Sequence, residues 1–232
     1  MKIAERVSAD VTMNAVSRGI MLSSGPQGKW WFSGKVMENY VVSAIIKILL
    51  MPLLYCLGLV VAGAYGALHN QISYTVAPSY FHGHKFVQFG IPPEFHNRIG
   101  AAMVGWHASW WMGKIVGPPV ILIGLFVPGW KLYLSRTLIA MGVMVATTLF
   151  VGLAALAYSV CMDPGVDAFE HAGHMHNFSY LGGFLGILTG SAYVLYQGIA
   201  WHTRLATKEQ QKTLETNEAQ QASARTPADG PI

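Results

Sequence analysis

The sequence predicts an all-α integral membrane protein, a bundle of four transmembrane helices beneath an ordered outer loop cap. Three observations carry this reading. The first is composition: 53% of the 232 residues are hydrophobic and 11% charged, with a mean hydropathy of +0.39, which is too apolar for an ordinary soluble domain. The second is length. Four apolar windows, 41–66, 99–127, 134–161 and 179–202, each reach the roughly 20 residues needed to cross a hydrocarbon core of about 30 Å.

The third is where the positive charge falls. Lys2, Arg6, Arg18, Lys29 and Lys35 precede the first window, Lys131 and Arg136 sit in the turn 128–136 that leads into the third, and Arg204, Lys208, Lys212 and Arg225 follow the fourth. Only Lys85 and Arg98 lie in the other two connections. Lys and Arg collect on the cytoplasmic side of a membrane, so the pattern places both termini in the cytoplasm of a cell whose inner membrane holds the protein, with 67–98 and 162–178 outside. No cleavable signal peptide is expected, because the first apolar run begins near Val41, after a polar lead.

Composition also excludes classes. The net charge of +4 comes without a basic run interleaved with stacking aromatics, so nucleic acid is not an expected partner; the lipid bilayer is. Cys56 and Cys161 stand alone, which removes a disulfide framework and a paired-cysteine redox motif. Phosphate-loop, dinucleotide and serine-hydrolase motifs are absent from the sequence.

In order, residues 1–40 read as a cytoplasmic arm and interfacial anchor, 41–202 as the transmembrane domain and 203–232 as a polar, partly disordered cytoplasmic tail. Ile3, Val7 and Val11 fall at spacings that line one face of a short surface helix, and Trp30, Trp31, Phe32 and Tyr40 among Lys29 and Lys35 read as an interfacial belt. Lys47 reaches the headgroups by snorkelling, and Pro52 is expected to kink the first span.

The connection after it, ALHNQISYTVAPSYFHGHKFVQFGIPPEFHNR, is too long for a turn and too aromatic for a linker. Its ISYTV and FVQF runs favour strand, which predicts an ordered cap on the outer face. The string HNQISYTVAPSYFHGHKFVQFG resembles a segment of an uncharacterised family of bacterial multi-span inner-membrane proteins, and the resemblance extends over about residues 65–125. It implies a bacterial inner-membrane protein and carries no assigned activity. The chain departs from that family's segment at His82 and His84, and at Asn70, where the family has an acidic residue.

The second span, EFHNRIGAAMVGWHASWWMGKIVGPP, carries the chain's most informative ionisable groups. His107 and Lys114 lie inside its apolar run, where such groups are costly and usually functional. Seven residues apart, they share a helix face about 10 Å apart along the axis. Gly100, Ala101, Gly105 and Gly113 allow close helix approach, and Pro118 with Pro119 are expected to break the helix. The third span is apolar throughout and reads as scaffold. The fourth carries Gly182, Gly186 and Gly190 at intervals of four, a face for packing within the subunit; association into a homo-oligomer or with other membrane subunits is the alternative use.

Chemistry concentrates outside. Of nine histidines, seven fall in the two outer connections, as do Glu94, Asp163, Asp167 and Glu170. The run Glu170-His171-Ala172-Gly173-His174-Met175-His176 is the densest. Together with His96, His107 and Glu94, its residues Glu170, His171, His174 and His176 form the candidate metal ligands, of a type that suits zinc, copper or iron. The leading functional reading is a non-enzymatic membrane protein whose His- and acid-rich outer face binds a divalent transition metal or responds to pH. Two alternatives follow it: a membrane-bound metalloenzyme or redox subunit with haem or copper, and a component of a small-solute or proton transporter. Haem is disfavoured, since no other span offers a mid-membrane histidine to pair with His107.

Overall fold

The computed structural model describes residues 22–24, 30–32 and 34–225. The expected surface helix around Ile3, Val7 and Val11, and the end of the tail beyond Arg225, lie outside the described residues. Helix α1 runs Gly34–Val76, α2 Arg98–Ser109, α3 Gly113–Gly124, α4 Trp130–Met162 and α5 Ala168–Arg225. A short antiparallel pair, β1 (Leu22–Ser24) and β2 (Trp30–Phe32), precedes them. Ala44–Gln197 forms one compact unit; the described residues before Ala44 and after Gln197 belong to a second.

Three helical stretches are long and apolar enough to cross a membrane: Glu38–Val76, Trp130–Met162 and Ala168–Gln221. The window expected as a second span is a broken rod instead. A 3-10 turn, Trp110–Met112, separates α2 from α3, so neither piece alone has the required length. The sequence places the break at Pro118 and Pro119, yet α3 runs through both. Prolines are tolerated in such helices when neighbours satisfy the freed backbone groups, and the geometry changes upstream, among the bulky tryptophans.

The connection 67–98 is helical where its sequence favours strand. α1 continues through the ISYTV run to Val76 and stops before Pro78, since the residue preceding proline is driven out of the helical region. A helical turn Pro78–Tyr80, a π turn Phe81–Lys85 and another turn Phe86–Gln88 follow. Strand preference is overridden here by burial: Phe81, Phe86, Tyr80, Ile91, Ala101 and Ala172 form one cluster, with Phe81 and Phe86 wholly buried. The cap is therefore ordered, as a helical plug with its own core. Asn97 opens α2 by accepting the Ile99 amide on its side chain at 2.7 Å, a standard helix start.

The second outer connection is also shorter than expected. α5 begins at Ala168, so the expected histidine-rich loop is the first turns of a helix. At its far end the helix continues to Arg225, about six turns past the fourth window, into the segment expected to be partly disordered.

Close backbone approach organises the larger unit. A Cβ on Gly105 would collide with the carbonyl of Gly66, and a Cβ on Gly66 with the carbonyl of Gly105. α1 and α2 thus cross with their main chains in contact. α5 meets α4 similarly: a Cβ on Gly182 would stand 2.9 Å from Thr148 Cα, and one on Gly186 3.2 Å from the Met144 carbonyl. In lipid, where burial of apolar surface drives little association, this proximity supplies the contact energy. Lys47 donates to the carbonyls of Val127 at 2.6 Å and Leu125 at 3.1 Å, capping the orphan acceptors after α3.

Candidate functional site

α1 carries Tyr65, His69 and Ser73 at intervals of four, which places them on one stripe. α5 carries His176 and Ser179 facing that stripe. The Ser179 hydroxyl donates to the Met175 carbonyl at 2.9 Å and so spends its only proton. His69 Nε2, 2.8 Å away, is then the donor to Ser179 Oγ, which fixes the His69 tautomer. Tyr65 donates weakly to the same oxygen at 3.5 Å. Gly152 of α4 leaves the room this pair occupies, since a Cβ there would overlap Ser179 Oγ.

His176 sits beside this network. Its ring meets His69 edge-on, with centroids 5.1 Å apart, and lies 5.2 Å from the Tyr80 ring on the cap side. His176 is half-buried as a residue, but its Nε2 is sealed and has no hydrogen-bond partner among the described residues. A sealed, unpaired ring nitrogen is costly unless something else bonds to it. Asn70 is wholly buried and donates to the Ala101 carbonyl at 2.9 Å, tying α1 to α2.

A cavity of about 110 Å³ adjoins these groups. α1, α4 and α5 wall it together with the broken rod, whose Ser109 and Met112 line it at the break. Tyr65, His69, Asn70, His176, Ser179 and Thr148 are among its polar lining residues, and Met112, Met141, Met144, Val61 and Val116 among its apolar ones. α4, expected as plain scaffold, is thus part of the wall. Above the cavity, burial and the neighbouring Tyr180 push the Tyr80 phenol up to about 12, so it stays protonated. Lys85, its ammonium 5.3 Å from the Tyr80 ring centre, is lowered by burial and donates to Gln88 at 3.0 Å.

The seven candidate metal ligands are not brought together. His171 is buried and its Nδ1 is engaged with Ser159 Oγ at 2.7 Å, whereas His174 and Glu170 are exposed. His96 stacks on Phe86, with centroids 4.6 Å apart, and bonds the Ile91 carbonyl at 2.9 Å. Glu94 is exposed, and His107 is exposed on the outer side of the bundle. Among the described residues no group of three His, Cys, Asp or Glu side chains stands close enough to hold an ion. Of the set, only His176 reaches the cavity. Lys114 does not line it either; it is exposed, its ammonium 4.3 Å from the centre of the Trp110 ring.

His69, expected in an outer loop, is the partner that sequence reasoning misses. It lies within a membrane-length helix, Glu38–Val76, instead of a loop. The four-residue spacing of Tyr65, His69 and Ser73 is the signal that could have found it. No protein-family model, curated protein or solved structure matches the chain.

Proposed function

We infer that the chain is a four-span membrane protein that binds a small, largely apolar molecule bearing one hydrogen-bonding group, within the bilayer. The observation that carries this reading is the cavity itself, apolar for the most part and lined at one end by Tyr65, His69, His176 and Ser179. A mostly apolar pocket with a few convergent polar groups is the usual form of a small-molecule site. The His69 network holds one end rigid, and the apolar wall accommodates the rest of the ligand. α2, the 3-10 turn and α3 act together as the second of the four spans, since 27 residues from Arg98 to Gly124 at about 1.5 Å each exceed a hydrocarbon core. The bilayer is a bacterial inner membrane in this reading, with both termini cytoplasmic. The metal and haem readings draw no support from the arrangement of their candidate ligands, and the transporter reading shares this site without adding a second.

Two measurements test it. Probe binding is measured with 1-naphthol, whose fluorescence reports its surroundings, and with naphthalene as the hydroxyl-free control, on protein in lipid nanodiscs. Saturable one-to-one binding of naphthol is expected, weakened about ten-fold or more in His176→Phe, because a site with a buried polar group discriminates against ligands that leave it unpaired. Equal binding of both probes, unaffected by the substitution, would sink the ligand site. For topology, a reporter active only in the cytoplasm should work when fused after Ile232 and fail when inserted at Gly165. Cytoplasmic activity at Gly165 would remove the four-span arrangement.

A further inference from the structure

We propose that the face of the broken rod bearing His107, Trp111 and Lys114 docks a transmembrane helix of another protein, one that carries a carboxylate within its own apolar span. All three residues are exposed, and they recur at intervals of four and three, along one side of the rod. The opposite side is the one packed in the bundle, through Ala101, Val104 and Gly105.

A lysine on a lipid-facing surface normally escapes by snorkelling. Lys114 is ten residues from the end of α3, about 15 Å, and sixteen from Arg98, about 24 Å. Lys47, bonded to the carbonyls of Leu125 and Val127, marks the polar boundary at the nearer end. The Lys114 ammonium turns away from that boundary, onto the ring of Trp110 one turn back toward Arg98. The charge is therefore held at depth, where the cost of an ionisable group is offset chiefly by a partner of opposite sign.

That partner is not a lipid headgroup, because the ammonium points away from the nearer interface. It is not a second copy either. Residues 39–93, 95–162 and 171–208 contain no Asp or Glu, so a copy in the same orientation brings no carboxylate to this depth. A foreign helix with an Asp or Glu in its span satisfies Lys114. Its neighbouring turns meet Trp111, and a polar group about 10 Å along meets His107.

The test uses a synthetic leucine–alanine helix with one central Glu, labelled with dansyl, and its Gln counterpart. Each is mixed with the full chain in phosphatidylcholine vesicles, the protein's own tryptophans serving as energy-transfer donors. The Glu helix is expected to bind about ten-fold more tightly than the Gln helix, a difference of about 1.4 kcal/mol. Lys114→Met should erase that preference and Lys114→Arg retain it, with thermal unfolding of both variants in detergent matching the parent chain. Indistinguishable Glu and Gln helices, or a preference that survives in Lys114→Met, overturn the proposal. A preference that vanishes when phosphatidylglycerol is added also overturns it, since a headgroup would then be the true partner.

Discussion

Gly105→Leu is expected to abolish the folded bundle, with a loss of more than about 4 kcal/mol, the range reached only when a substitution has no room to relax. The reason is specific to this contact. A Cβ at Gly105 meets the Gly66 carbonyl and the Ala67 nitrogen, which are backbone atoms that no rotamer change can move. α1 and α2 must separate, which breaks the Asn70 bond to the Ala101 carbonyl and opens the cavity wall. Gly142→Leu in α4, where an added Cβ meets nothing within 4 Å, is the control. Thermal aggregation in mild detergent, followed by size-exclusion chromatography, reads both; equal stability of the two variants would show that α1 and α2 do not cross at these glycines.

Phe86→Ala carries the second large effect, about 3–5 kcal/mol for truncating a fully buried aromatic ring. Phe86 packs on Phe81 with centroids 5.8 Å apart and stacks on His96, so its loss leaves a void at the centre of the cap. Because the damage is confined to the plug, limited proteolysis should find new cleavage between Phe81 and Asn97 while the membrane-length helices stay intact. A variant as resistant as the parent chain would mean that the cap owes its order to something other than this core.

How much of this is legible in the sequence varies by element, for physical reasons. Apolar length identifies α1, α4 and α5 as membrane-length helices, because hydropathy sums over a window and needs no partner. The same sum cuts α1 off near Gly66, since His69, Asn70 and Ser73 look like the start of a loop until α5 and α2 are present to engage them. The ISYTV run reads as strand for the same reason. His107 and Lys114 are recognisable as costly groups, but their direction is not. That direction follows from Gly100, Gly105 and Gly113, whose small side must face a neighbour and which therefore turn the large ionisable groups outward. The metal reading rests on counting histidines within a connection; once the run is wound into a helix, His176 turns away from His171 and His174, and His171 is claimed by Ser159. The unpartnered nitrogen of His176 is beyond the reach of any count, because it depends on what the cap and α1 leave unfilled.

Met112 at the break and Met141 with Met144 on α4 face the cavity from two separate elements. Thioether chains are unbranched, polarisable and cheap to re-rotamer, so a wall built from them takes its outline from whatever it encloses. In the proposed reading, selectivity comes from the end lined by His69, His176 and Ser179, while tolerance of size and contour comes from sulfur. The same choice exposes the chamber to oxidants: conversion of one methionine to its sulfoxide adds a polar oxygen to the apolar wall, which would change what the proposed site admits.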